Sequence, residues 1–360
     1  MKLDKYIGMD VHQATTVVVV LDASGKVALE TIVATEAAPI IRLMQSLNGA
    51  LHVTFEETTQ AGWLYDVIRA YAHEVVVCDP RRNRFLSEGS KADKRDARKL
   101  AELLRAGLLR SVYHGHEATR RLKELVRAYE TLSVDTMRTM FRVKALYRGR
   151  GIRTPGSGVY QLKQREQWLH RLTEPGLRQR VEWLYEELDH LRSLRKRAKL
   201  AMLTESRKHR AFTLLRTIPQ LGPIRCALIV ATLDTPHRFR TKHQLWAYSG
   251  LAVVTHTSSE YEIKAGRVVR NRKPISTRGL NRNGNRRLKD VFVAAATGGT
   301  QAEPYRTYLR GLEQKGMRAE MARLTLARKI AAITLSIWKK GVPMAGAPVT
   351  TKDEKFDPSA

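Results

Sequence analysis

The apolar residues of the first hundred positions change their spacing repeatedly, and this switching constrains the fold more than any other feature of the chain. Lys5 to Val11, Thr15 to Leu21 and Lys26 to Val33 are short β-branched segments divided by turns, which predicts three successive strands. Residues 36–48 carry Ile40, Leu43, Met44 and Leu47 at helical spacing, and Leu51 to Phe55 returns to a strand pattern. Thr59 to Tyr71 is amphipathic, Glu74 to Cys78 is an apolar strand, and Asp93 to Leu104 closes the series as a helix. The expected order is three strands, helix, strand, helix, strand, helix.

Beyond this region the pattern becomes helical. Glu117 to Tyr147 repeats Leu122, Leu125, Val126, Tyr129 and Leu132 at three- and four-residue spacing. A Gly-, Arg- and Pro-rich loop follows at Gly149 to Gly158, and a second helix is expected to run to about Ala201. Two long amphipathic helices suit either an antiparallel hairpin or a coiled coil between subunits, and packing on a partner is the preferred reading. Thr217 to Gly222 joins two helices in the manner of a helix-hairpin-helix turn. Glu260 to Asn285 reads as a basic loop, helices are expected at 285–297, 302–315 and 318–339, and a Pro- and Ala-rich tail follows Gly341.

Charge divides the chain sharply. The formal net charge is +29 over 360 residues, yet residues 1–112 hold 15 Lys and Arg against 14 Asp and Glu and are close to neutral. Nearly all the excess therefore lies in residues 113–360, where it would attract a polyanion and release its condensed counterions. Charge alone does not separate DNA from RNA. The two cysteines, Cys78 and Cys226, lie in apolar segments far apart, which argues against a disulfide framework and suits a reducing compartment. No apolar run approaches the ~20 residues of a membrane span and no leader pattern precedes the first strand, so a soluble intracellular protein is expected.

A near-neutral domain beside so basic a remainder must keep its carboxylates for a purpose. Asp10 ends the first strand in Ile7-Gly8-Met9-Asp10, and Glu56 ends the fourth, with Glu57 as the adjacent alternative. Asp93 and Asp96 sit three apart at the start of the following helix. The expected strand order is that of ribonuclease H, which brings such positions together. A set of hard oxygen donors suits Mg²⁺ or Mn²⁺, and a metal pair of this kind supports phosphodiester cleavage. Acidic residues in a helix's first turn also favour the helix dipole without any metal. A sugar-kinase or actin-like ATPase shares an Asp at this strand end. It needs a glycine-rich phosphate loop next, and His12-Gln13-Ala14-Thr15 contains no glycine.

In these residues the chain resembles the transposases and invertases of the insertion-sequence IS110 type, whose catalytic domain resembles a Holliday-junction resolvase. The resemblance rests on Ile7 to Asp10, Glu56 to Trp63 and Lys91 to Ala97. It continues with Ile218 to Gly222, Ala247 to Leu251, Ser258-Ser259 and Gly284 to Leu288, all in family order. It implies that Asp10, Glu56, Asp93 and Asp96 bind Mg²⁺ or Mn²⁺ and that Ser258, or else Ser259, is a nucleophile toward DNA. Glu260-Tyr261 follow the serine pair here, where the family carries glycine. The resemblance also implies a structured guide RNA that pairs with donor and target DNA, and a homo-oligomer, dimer or tetramer.

The expectation is therefore a ribonuclease-H-like α/β catalytic domain over 1–112, a helical hairpin or coiled coil over 113–205, a mainly helical C-terminal transposase domain over 206–342, and a flexible tail over 343–360. Phosphate binding falls to Lys264, Arg267, Arg270, Arg272, Lys273, Arg278 and Arg282. The setting expected is the bacterial or archaeal cytoplasm, near the nucleoid. A junction nuclease using water, or a catalytically silent nucleic-acid-binding protein, remains as an alternative.

Overall fold

The computed structural model describes residues 4–79, 93–114, 119–258, 261–264, 267–270 and 275–344. The chain divides into two compact units, residues 1–115 and 116–360.

The first unit is built on a five-stranded sheet in the order β3-β2-β1-β4-β5. Its strands are β1 (Asp4–Val11), β2 (Thr15–Leu21), β3 (Val27–Ala34), β4 (Ala50–Glu56) and β5 (Glu74–Cys78). The first three pair antiparallel, while β4 joins β1 and β5 joins β4 in parallel, as helical crossovers require. The crossovers contain α1 (Ala37–Ser46) and α2 (Ala61–Ile68). Their buried Ile40, Met44, Leu64 and Ile68 meet Ile7, Met9, Val18, Val20, Val53 and Phe55 on one face of the sheet. The opposite face presents Val17, Val19 and Leu21 to Ala97 and Ala101 of α3 (Asp93–Arg105). Central strands covered on both faces must be apolar at every position, which explains the continuous Val17-Val18-Val19-Val20-Leu21 run. The edge strand β3 instead alternates between partly buried and exposed positions.

The second unit opens with a helical hairpin. Helix α4 (Arg120–Arg148) and helix α6 (Pro175–Ser206) run antiparallel, with α5 (Arg165–Leu169) in the connection. Val143, Tyr147, Val181, Tyr185 and Leu188 pack near its tip, where Val159, Tyr160, Trp168 and Leu169 close the end. The Tyr185 hydroxyl donates to the Val159 carbonyl at 2.8 Å, and burial raises its pKa far above that of a free phenol. At the base, Leu122, Val126, Met202 and Leu203 merge into a second core with α7 (Arg210–Leu215), α8 (Pro223–Leu233) and α9 (Lys242–Tyr248). Helices α10 (Arg286–Gly298), α11 (Tyr305–Gln314) and α12 (Ala319–Lys340) complete that core. Both cysteines are buried, and burial pushes the Cys226 thiol up to about 12. Among the described residues no helix is long and apolar enough to cross a membrane.

The basic region after α9 departs from the loop expected there. Its described residues form β6 (Val253–Ser258) paired with β9 (Ile275–Leu280), and β7 (Tyr261–Lys264) paired with β8 (Arg267–Arg270). Val253, Val254, Thr255, Ile263, Val268, Val269 and Ile275 supply β-branched residues suited to extended backbone. The charges around them hid the pattern, because two-stranded ribbons with exposed faces bury no apolar stripe. The second long helix also begins later and ends later than expected, at Pro175 and Ser206. Proline at its first position presets the helical φ without losing a hydrogen bond.

One contact in the first unit has a direct test. A Cβ added to Gly8 would lie 2.0 Å from the Ala97 carbonyl oxygen and 2.6 Å from the Ala101 nitrogen. Backbone cannot rotate away as a side chain can, so Gly8→Ala should destabilise the first unit by about 3 kcal/mol or more. Gly62, in the first turn of α2, has nothing within 4 Å of such a Cβ. Gly62→Ala should instead be neutral or stabilise by up to about 1 kcal/mol. Thermal melts of the two variants check the contrast, and equal melting temperatures would contradict the packing described.

Candidate active site

The Gly8 contact fixes what stands at one end of the sheet. Side chains alternate along a strand, so Asp10 shares the α3 face with Gly8, and its registered partner on β2 is Val17 of the α3-facing set. On the other side, Gly8 is in register with Thr54 and Met9 with Phe55 in the parallel β1–β4 pair. Continuing that register by one residue sets Asp10 beside Glu56, on neighbouring strands ~4.8 Å apart. Both are partly exposed, at the carboxyl ends of two parallel strands.

Helix α3 approaches the same end. Arg105, in its last turn, lies against Gly25 in the β2–β3 turn, where a Cβ would be 3.0 Å from the guanidinium carbon. That turn is at the far end of β1 from Asp10, so α3 runs antiparallel to β1. Position 93 precedes Ala97 by one helical turn, ~6 Å of rise, and Asp10 follows Gly8 by ~6.6 Å of strand. The start of the helix is thus level with the strand ends. Asp96, half-buried, precedes Ala97 directly. The Asp93 side chain lies outside the described residues. Among the described residues no three His, Cys, Asp or Glu side chains stand close enough to hold a metal.

The structure separates Glu56 from Glu57. Glu57 follows the strand on the opposite alternation, and its amide donates to the Cys78 carbonyl at 2.9 Å. Its carboxylate is 3.0 Å from Nε2 of His114, whose ring stacks on Tyr65 at 4.8 Å between centroids. Sequence reasoning passed over this pair, and it also passed over His12, whose Nε2 is 3.2 Å from the Asp10 carboxylate. The signal for His12 was available, since a residue two beyond Asp10 in extended chain shares its face.

In the second unit, Ser258 is the last residue of β6 and its backbone pairs with Ile275. Ser259 lies outside the described residues, as do Arg272 and Lys273, and nothing is described of the Ser258 side chain. Lys264 ends β7 opposite Arg267, while Arg267 and Arg270 are exposed on β8. Arg278 occupies β9 opposite Thr255, and Arg282 follows β9 at the mouth of a cavity. The predicted cations therefore spread along two ribbons and the turn after them.

Known proteins agree on the class. Residues 7–149 match the IS110-type DEDD family described as Transposase, and residues 212–309 match the family described as Transposase IS116/IS110/IS902 family. The protein named "Putative transposase y4qE" of Sinorhizobium fredii is 26% identical over 305 residues, covering 81% of this chain and 71% of its own. The two family matches together span about two thirds of the chain, one over its N-terminal and one over its C-terminal part. The chain belongs to the IS110 family of transposases.

Proposed function

We propose that the protein cleaves and rejoins the DNA of an insertion sequence, using Asp10, Glu56, Asp93 and Asp96 around Mg²⁺ or Mn²⁺ and Ser258 as nucleophile. The observation that carries the reading is the meeting of three chain segments at one end of the sheet. Asp10 and Glu56 stand on adjacent parallel strands, and the Gly8 contact delivers the first turn of α3 to the same face. The order of strands and helices is that of a ribonuclease-H-like domain, and we assign residues 1–112 to it.

The donor set fits the group. Carboxylate oxygens from strand ends and a helix start are hard ligands that leave room for water and phosphate oxygens, as Mg²⁺ prefers. When bound, the metal supplies charge stabilisation at the scissile phosphate and lowers the pKa of an attacking hydroxyl. His12, hydrogen-bonded to Asp10, orients that carboxylate. In the cleavage step the Ser258 oxygen bonds to phosphorus as the bond to the departing sugar oxygen breaks, and the serine proton ends on that oxygen. One phosphodiester replaces another, so rejoining is the reverse step and needs no energy source. The reading requires Ser258 and the acids to act on the same phosphodiester.

The basic second unit supports DNA binding, and a structured guide RNA suits its diffuse charge, because base pairing would then supply the sequence choice. Val134, Met137 and Phe141 form an exposed apolar stripe on α4, in keeping with a homo-oligomer, dimer or tetramer, that packs through the hairpin.

Asp10→Asn should reduce strand cleavage by on the order of a hundredfold or more while leaving DNA affinity unchanged. Glu57→Gln, on the other face, should change it only a few-fold. A denaturing gel should reveal a protein–DNA adduct that Ser258→Ala abolishes. Cleavage with no adduct from the native protein would favour water as nucleophile, and full recombination by Asp10→Asn would refute the metal site.

Metal binding can be read without turnover. Mn²⁺ at about 100 times its Kd should stabilise the native protein by about 2.7 kcal/mol. The rise in melting temperature should be absent from Glu56→Gln, and an equal rise in both proteins would place the metal elsewhere.

A further inference from the structure

From Ile263 to Lys289 the chain carries ten Lys and Arg and no Asp or Glu. Among the described residues four of these cations lie along the ribbons, and three others converge. A cavity of about 500 Å³ opens between the end of α9 and the start of α10, lined by Gly250, Leu280, Arg282, Gly284, Arg286 and Lys289 together with Asn281. No lining residue is acidic. Among the described residues, the side chains of Arg282, Arg286 and Lys289 make no ion pair or hydrogen bond. The neighbouring Arg287 is different, since Glu130 holds it at 2.9 Å.

The cavity is held rigidly by backbone. Gly250 has φ +67, and a Cβ on Gly284 would lie 2.2 Å from the Gly250 nitrogen. Two glycines therefore let the chain segments touch where any side chain would part them. Asn281 donates its side-chain amide to the Ala247 carbonyl at 3.0 Å, and the Asn283 amide donates to the Asn281 side chain. Asn285 caps α10 by accepting from the Leu288 amide at 3.1 Å. These contacts fix the first turn of the 13-residue α10, and its positive end faces the same cavity as the three cations.

Like charges gathered in a cleft without a counterion raise the local anion concentration. The volume exceeds one phosphate and accommodates it with its adjoining sugars. No aromatic ring lines the space, so a base has nothing to stack on. We propose that this cavity seats a phosphate of a nucleic-acid backbone and anchors the strand without regard to sequence. The inference rests on the transposase reading only for the nature of the polyanion.

The test is equilibrium binding of the full chain to labelled duplex DNA and, separately, to a folded RNA, over a range of salt. Arg286→Gln/Lys289→Gln should weaken binding by roughly tenfold at low salt and make the slope of log K against log salt shallower by about two. The loss should be the same for unrelated sequences. Arg282→Gln alone, at an exposed loop position, should reduce the slope by about one. The comparison is Arg310→Gln/Lys315→Gln, which removes two exposed charges from the α11 region outside the cavity and should do less. Whichever of the two nucleic acids shows the loss is the occupant. If the cavity variants lose no more than the comparison, or lose affinity for one sequence alone, the seat is wrong while the transposase reading stands. Native protein that binds neither nucleic acid would overturn both.

Discussion

The first unit depends on a backbone-to-backbone contact between a strand and a helix. Gly8 lacks the Cβ that would strike the Ala97 carbonyl, and Ala97 and Ala101 are the small residues that let α3 come so near. Close approach excludes rotation or sliding of the helix, because backbone atoms offer no alternative rotamers. The consequence reaches beyond stability. The register of α3 on β1 determines which residues of the helix stand level with the strand ends, and those are the residues around Asp93 and Asp96. If the proposed metal site is right, a helix lifted by even one methyl group would carry them away from Asp10 and Glu56 by a distance that matters to a metal ligand, whose bonds tolerate only tenths of an ångström.

Charge is handled differently in the two parts of the second unit. Along the α4–α6 hairpin, basic residues meet acids: Arg150 and Glu174 at 2.8 Å, Arg178 and Glu166 at 2.9 Å, Arg142 and Glu187 at 3.5 Å. The Arg150 guanidinium holds the Glu174 carboxyl below the usual carboxylate range, and Arg165 does the same for Asp189. Exposed pairs of this kind contribute little stability each, but they offset part of the hairpin's positive field. From Ile263 to Lys289 there is no acid to do so. Residues 120–206 hold 20 Lys and Arg against 10 Asp and Glu, so the hairpin's excess is as large but interleaved with acids, whereas the cations of Ile263 to Lys289 stand unopposed in sequence.

The sequence made the first unit legible because each element there obeys a single period. A strand buried on both faces, an alternating edge strand and an amphipathic helix are local patterns, and the Lys91 to Ala97 segment marks the α3 start without tertiary information. The ribbons β6–β9 were not legible, since short strands among arginines and asparagines bury too little to impose a period. The pairing of Glu57 with His114 joins residues 57 positions apart and leaves no trace in either neighbourhood. The cavity needed even more: Gly250 and Gly284 belong to separate family motifs, and only the fold sets one against the other.

The proposed carboxylate cluster would repel a phosphodiester until a metal arrived, and the near-neutral first unit has little surplus of cations to overcome that repulsion. On that reading DNA affinity comes from elsewhere in the chain. The second unit carries the charge, and its cations in the turn after β9 stand on a backbone fixed by glycine contacts and asparagine hydrogen bonds. A fixed backbone sets the roots of these side chains at a defined place, which a loose loop would not do. On the proposed reading, attraction of the polyanion and chemistry at the acids fall to different parts of the chain, so each can keep the sign of field it needs.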